Sequence, residues 1–268
     1  MAVRTRLTSL RERAKAFGPR YAAAHAAMRA ARRLAQRSED ALLEVEGRRG
    51  VLGPAHQAWS DNSTDRNRDL WEGWDWSTRG EEWTASEEWK QGLVDDVLLR
   101  VIPAGGTVVE IGPGAGRWSE HLVARADRLI GVDLAQAPFD ALAERLGSKA
   151  ERVIGDGRSL PGIADDTVDA VWSFDVFVHV APVDQATYLA EIARVLVPGG
   201  VAAIHHADGR NRGSAPSRAG WRAPMSARLF AALARERGLE VTEQIRSWSG
   251  GRHGLDAYHD VITVLRKA

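Results

Sequence analysis

The stretch VVEIGPGAGRW, residues 108–118, runs from a short apolar segment into glycines at 112, 114 and 116, with an acid, Glu110, just before them. Glycine lacks the Cβ that keeps a ligand off the backbone, so Gly112, Gly114 and Gly116 form a loop whose amides can touch a bound molecule. A dinucleotide loop, G-x-G-x-x-G, requires its third glycine at position 117 when counted from Gly112, and this chain has Arg117 there. The carboxylate of Glu110 disfavours a pyrophosphate and suits a ligand with positive charge. S-adenosylmethionine carries an ammonium and a sulfonium, and its carboxylate can still meet amides at the following helix N-terminus.

Further acids and histidines recur where apolar runs end. Asp133 closes RLIGVD, about 20 residues past the glycines, where a carboxylate accepts ribose hydroxyls. That placement fits nicotinamide dinucleotides equally well. GDGRSLP follows the next run and places Asp156, with Gly157 beside it, to receive an adenine amino group. VDAVWSFDVFVHV ends with Ser173 at the cofactor side, then Asp175 and His179; an imidazole titrates near neutrality, so His179 is the favoured proton acceptor, and Asp175 is placed to orient a histidine or cap a turn. AIHHADGRNRG adds His205, His206, Asp208, Arg210 and Asn211. Adjacent strand residues face opposite sides, so only one of the two histidines faces a given cleft. A divalent metal on His205, His206 and Asp208 stays an open alternative; no metal is assigned, because His-His-x-Asp is not a specific ligand signature.

These residues need elements to hold them. From Pro103 onward, short Val- and Ile-rich runs at 107–111, 128–133, 151–156, 168–174 and 200–206 alternate with amphipathic stretches near 116–126, 136–147 and 184–197. This alternation predicts an α/β domain with a parallel sheet buried on both faces. Its ligands bind at the carboxyl ends of the strands. After a helix at about 226–238, EVTEQIRSW and DVITVLRK are separated only by SGGRHGLDAYH, too short for a helical crossover, so these strands are antiparallel. Upstream, Thr84 and Glu87 read as a capping box opening a helix that Pro103 closes. Residues 5–46 predict two helices interrupted at FGPR, and residues 55–85 a loop-rich cap.

In this order the motifs resemble the class I S-adenosylmethionine-dependent methyltransferases, particularly the type similar to quinone-biosynthesis enzymes. VVEIGPGAG resembles the family's first motif, GVD its second-strand acid, GDGRSLP its adenine-side acid, and YLAEIARVLVPGG its approach to strand five. The resemblance covers residues 105–206. It implies a Rossmann-like, doubly wound, seven-stranded sheet of order 3-2-1-4-5-7-6 with an antiparallel last strand, and S-adenosylmethionine as cofactor. On this architecture the RHGLDAYHD loop turns His253, Asp256, Tyr258 and His259 toward the cleft, and His179 lies where relatives acting on oxygen often use a histidine. The expected division is a helical, basic arm and Trp-rich cap at 1–85 and the methyltransferase domain at 86–268.

Composition narrows the partners. With no cysteine, disulfides, thiolate metal sites and a cysteine nucleophile are excluded. Lys plus Arg equal Asp plus Glu at 36 each, yet residues 1–37 hold ten basic side chains against Glu12 alone. Such a segment reads as a solvated helical appendage, with peripheral contact to an anionic membrane as the alternative. No apolar run approaches a membrane span, and a cytoplasmic location is expected. Nucleic acid is not expected as partner. Six of the ten tryptophans fall within residues 59–89, and indole faces stack on sugar C–H surfaces or aromatic rings. The favoured acceptor is therefore a saccharide hydroxyl, the rival a phenolic or quinone-like metabolite. A nicotinamide oxidoreductase and a noncatalytic cofactor-binding module remain as other classes.

Overall fold

The computed structural model describes residues 15, 17–209, 222–255 and 259–268. The chain divides into two compact units, residues 1–43 and 44–268, so the tryptophan-rich stretch 55–85 belongs to the unit that contains the sheet. Of the two helices expected on either side of FGPR, the second, α1, runs from Pro19 to Arg49. Gly18, at φ +86°, separates it from helical residues before it, so the break falls within FGPR but the helix beyond it does not pause again.

Helix α2, Thr64–Glu72, follows; its N-cap Ser63 accepts from the Arg66 amide. Helix α3 is Glu87–Leu93 and continues through a π-helical turn at Val94–Leu98. Its cap corrects the sequence reading: Ser86, not Thr84, accepts from the Trp89 amide at 3.1 Å, while the Thr84 hydroxyl donates to Glu81 Oε2. Then come β1 (Thr107–Ile111), α4 (Ser119–Val123), β2 (Arg128–Asp133), α5 (Ala137–Leu146), β3 (Ala150–Ile154), β4 (Val168–Ser173), α6 (Pro182–Val195), β5 (Leu196–Ala207), α7 (Ala227–Glu236), β6 (Leu239–Ile245) and β7 (Asp260–Lys267).

The strands form one sheet in the order β3-β2-β1-β4-β5-β7-β6. β7 is antiparallel to both β5 and β6, and the other pairings are parallel. This is the order the resemblance implied. Alternation along each strand divides the core in two. Val109, Ile111, Val171 and Ile204 pack with α6 and α7 on one face; Val108, Ala170, Trp172 and Ile262 pack with α3 and α4 on the other. A strand buried on both faces has no polar alternation to display, hence the unbroken apolar runs. Each buried valine or isoleucine among them contributes about 1.5–3 kcal/mol by leaving water. The result is a rigid platform whose carboxyl edge carries the polar residues.

Among the described residues, no helix is long and apolar enough to cross a membrane.

Candidate functional site

The glycine loop follows β1 because three of its positions demand backbone that other residues resist. Gly112, Gly114 and Gly116 have φ of +68°, +54° and +88°. A Cβ on Gly112 would lie 2.3 Å from Val176 Cγ2, and one on Gly116 2.7 Å from Leu142 Cδ1. Gly116 thus lets α5 close on the loop, a packing role. Gly114 faces the ring of Trp76, 3.1 Å from where its Cβ would be.

Over the strand ends lies a cavity of about 940 Å³. Gly112, Gly114 and Asp133 line one part of it, and Asp175, His179 and His205 another, with Trp71, Trp76 and Trp83 above. The cap is pinned at both parts. Glu72, ending α2, accepts from the amides of Gln136 and Ala137 beside β2's exit, and Asn67 Nδ2 donates to the His179 carbonyl at 2.8 Å. A buried Lys90 bridges Glu81 of the cap to Glu120 of α4 at 2.9 and 3.3 Å, and Arg145 bonds both acids as well.

Asp133 is buried and accepts from the Ala135 amide; burial pushes its carboxyl up to about 6, against the backbone hydrogen bonds that hold it down. Glu110 is also buried, and burial pushes it up to about 7 while the Ser119 hydroxyl, donating at 2.5 Å, opposes. Glu110 supports the loop from beneath and does not line the cavity; neither do Gly116, Asp156, Gly157 or Ser173. Ser173 Oγ donates to the Ile111 carbonyl, tying β4 to β1. Asp156 Oδ1 accepts from the Arg158 and Ser159 amides and the Ser159 hydroxyl, fixing its own turn. Gly157, at φ +80°, sits where a Cβ would meet Thr64 of α2.

His179 ends a 3-10 turn after β4 and is buried, with Trp71 edge-on at 5.2 Å between ring centroids. Asp175 has left-handed backbone, φ +62°, the kind of local strain that collects at functional sites. Its carboxylate pairs with Arg117 Nη2 at 2.5 Å and lies 3.2 Å from His205 Nδ1. Burial raises the Asp175 carboxyl, but the Arg117 charge and the His205 hydrogen bond overcome it and hold the group well below the usual carboxylate range. Asp175 is therefore an ionised positioning group, and the histidine it orients is His205.

His205 stacks on Phe174 and receives the Asp175 amide on Nδ1 at 3.0 Å; its Nε2 lies 3.4 Å from Asp260 Oδ2. Burial works against its charged form, and the two carboxylates more than offset this, so its affinity for a proton is raised. Arg222 in turn binds Asp260 at 3.0 Å. Arg117, Asp260 and Arg222 are site residues the sequence reading did not assign. The available signal was the place of Arg117 directly after the glycines and of Asp260 at the start of the last strand.

The polar run after β5 disperses. His206 points to the opposite face, where Nε2 meets Thr263 Oγ1 and the ring stacks on Phe230; burial lowers its pKa to about 4. Asp208 accepts from the Ala227 amide at the start of α7 and from Arg246. His205, His206 and Asp208 do not converge, and among the described residues no group of three His, Asp or Glu side chains could hold a metal. His259 lines the cavity, whereas His253 sits in a two-residue ribbon with Trp248 and does not. Arg210, Asn211, Asp256 and Tyr258 lie outside the described residues.

A glycine loop after β1, a buried acid ending β2 and a capped cavity over this strand order define a Rossmann-like, nucleoside-binding domain of the methyltransferase type. Residues 109–204 match the family model described as "Methyltransferase domain", and the fold is the one shared by class I S-adenosylmethionine-dependent methyltransferases. It is 36% identical over 117 residues to the biotin biosynthesis bifunctional protein BioHC of Cellvibrio japonicus, over 42% of this chain and 23% of that one. It is 34% identical over 121 residues to 2-phytyl-1,4-naphtoquinone methyltransferase of Thermosynechococcus vestitus, over 43% of this chain and 51% of that one. The match thus spans about half or less of these relatives' length. In fold it is similar to the TehB-like S-adenosylmethionine-dependent methyltransferase of Corynebacterium glutamicum, with a TM-score of 0.52, 20% identity, and coverage of 81% of this chain and 100% of that one.

Proposed function

We propose that the protein transfers the methyl group of S-adenosylmethionine to a hydroxyl of a small acceptor held beneath the tryptophan cap, and that this acceptor is a phenolic or quinone-like ring rather than a saccharide. One observation carries the reading: a single cavity joins the glycine loop and Asp133 to His179 and an aromatic roof. The residues fit the cofactor. A buried carboxylate at Asp133 matches ribose hydroxyls, and glycines at 112 and 114 in the cavity wall let a bound nucleoside approach the backbone.

S-adenosylmethionine supplies an electrophilic methyl carbon on a sulfonium. The chain aligns the acceptor oxygen, keeps water out with Trp71, Trp76 and Trp83, and takes the hydroxyl proton on the imidazole of His179. Trp71, edge-on to that imidazole, restricts its rotation. Flat aromatic walls favour a ring over a sugar, whose many hydroxyls need many neutral partners; the buried polar groups here are mostly charged and paired with each other. The relative named for a naphthoquinone is consistent with this choice.

Initial rates with methyl-labelled S-adenosylmethionine against catechols, hydroxybenzoates, hydroquinones and free or lipid-linked saccharides test it. Label transfer to a ring hydroxyl is the expected result. Transfer to saccharides alone overturns the acceptor assignment, and calorimetric binding of NADH but not S-adenosylhomocysteine overturns the activity itself.

A further inference from the structure

The acceptor half of the cavity contains a guanidinium used on one side only. Arg117 is 5% exposed, and Nη2 pairs with Asp175. Nη1 is buried with no hydrogen-bond partner, although the side chain lines the cavity. Rings hold it in place: the guanidinium carbon lies 4.8 Å from the Trp118 centroid, 5.8 Å from Phe174 and 6.0 Å from Trp83 of the cap. A buried cationic N–H without an acceptor is costly, and in native proteins such a group is satisfied by water, an ion or a ligand. Among the described residues its ionic partner is Asp175 alone, and the guanidinium lies in a site walled by indole.

We propose that the methyl acceptor carries a carboxylate or similar oxyanion, which Nη1 of Arg117 binds beneath Trp83. The acceptor class is then an acidic aromatic metabolite, such as a hydroxybenzoate, with its anion on Arg117 and its ring among the tryptophans. This rests on the methyltransferase reading, and it names a specificity residue outside the glycine loop. The oxyanion also has a second chemical source, the carboxylate of the cofactor itself, and the test separates the two.

Benzoate and its neutral isostere benzamide are titrated into the full chain saturated with S-adenosylhomocysteine, using tryptophan fluorescence. Benzoate is expected to bind at least tenfold tighter than benzamide. R117K keeps a charge for Asp175 but lacks the fork, and it should weaken benzoate at least tenfold with S-adenosylhomocysteine affinity within threefold. In case R117K folds poorly by thermal melting, R117M/D175N removes both partners of the buried pair and should lose benzoate equally. Equal binding of benzamide, or benzoate binding unchanged in both variants, overturns the proposal. So does a loss of S-adenosylhomocysteine binding in R117K that 5′-methylthioadenosine does not share, because the anion is then the cofactor's own. If wild type fails to bind S-adenosylhomocysteine, the methyltransferase reading fails, while the same titrations on the nucleoside-free chain still decide whether Arg117 reads an oxyanion.

Discussion

Replacing Gly112 by alanine tests whether the loop is shaped by its contact with the segment after β4. The backbone there has φ +68°, so an alanine carries a left-handed cost of about 1–2 kcal/mol. Its Cβ would also lie 2.3, 3.0 and 3.2 Å from Cγ2, Cγ1 and Cβ of Val176. Valine is stiff at χ1 and cannot turn both methyls away, so the overlap is relieved by backbone movement, at about 1–3 kcal/mol. The sum is about 2–5 kcal/mol, or a fall of roughly 4–20 °C in melting temperature at about 2–4 °C per kcal/mol. Gly238→Ala is the control, with φ +77° and nothing within 4 Å of the added Cβ, so it carries the backbone cost alone. G112A/V176A removes the clash, and a double-mutant cycle by guanidinium denaturation should return a favourable coupling of about 1–3 kcal/mol. Calorimetry should show S-adenosylhomocysteine binding lost in G112A and partly restored in the pair. If G112A costs no more than G238A, or the two substitutions add within about 0.5 kcal/mol, the loop is not held by Val176 and the reasoning fails.

Asp133 must be ionised to accept two ribose hydroxyls, and its carboxyl is pushed up to about 6, so S-adenosylhomocysteine affinity should fall as pH drops through 6, approaching tenfold per unit. Calorimetry from pH 5 to 8 reads this, and D133N should flatten the curve at weaker affinity. Glu110 rises from 4.5 to about 7 on folding, so the protonated group adds stability that is complete below 4.5 and lost as pH climbs through about 7; relative to E110Q, wild type should lose stability between pH 5 and 8 in denaturant titrations. His179→Ala should lower kcat by about 10²–10⁴ with little change in KM for S-adenosylmethionine, and a loss under tenfold removes His179 as proton acceptor.

The sheet was legible because its central strands are buried on both faces: TVVEI, RLIGVD and VDAVWSF have no other stable place, and they lead to Gly112, Asp133 and Asp175 in the cavity wall. The glycine loop was legible because backbone at positive φ selects glycine whatever surrounds it. The ionic chain was not. Its members stand at 117, 175, 205, 222 and 260, each in a different segment, and an isolated charged residue at a strand end reads equally well as solvated surface. Arg117 drew notice only as a missing glycine, because the side on which a long side chain settles after a glycine turn depends on its partner. That partner, Asp175, is brought beside it by the β1–β4 pairing, not by sequence proximity. His205 and His206 show the same logic in miniature. Alternation required them to part, but only the acids beside His205 and the burial of His206 decided which one gained a proton's affinity and which one lost it. Chemistry in this domain is thus concentrated where β4 and β5 end beside the start of the antiparallel β7, and a substitution that shifts their register should damage acceptor binding before it damages the nucleoside half, whose loop and acid come from β1 and β2 alone.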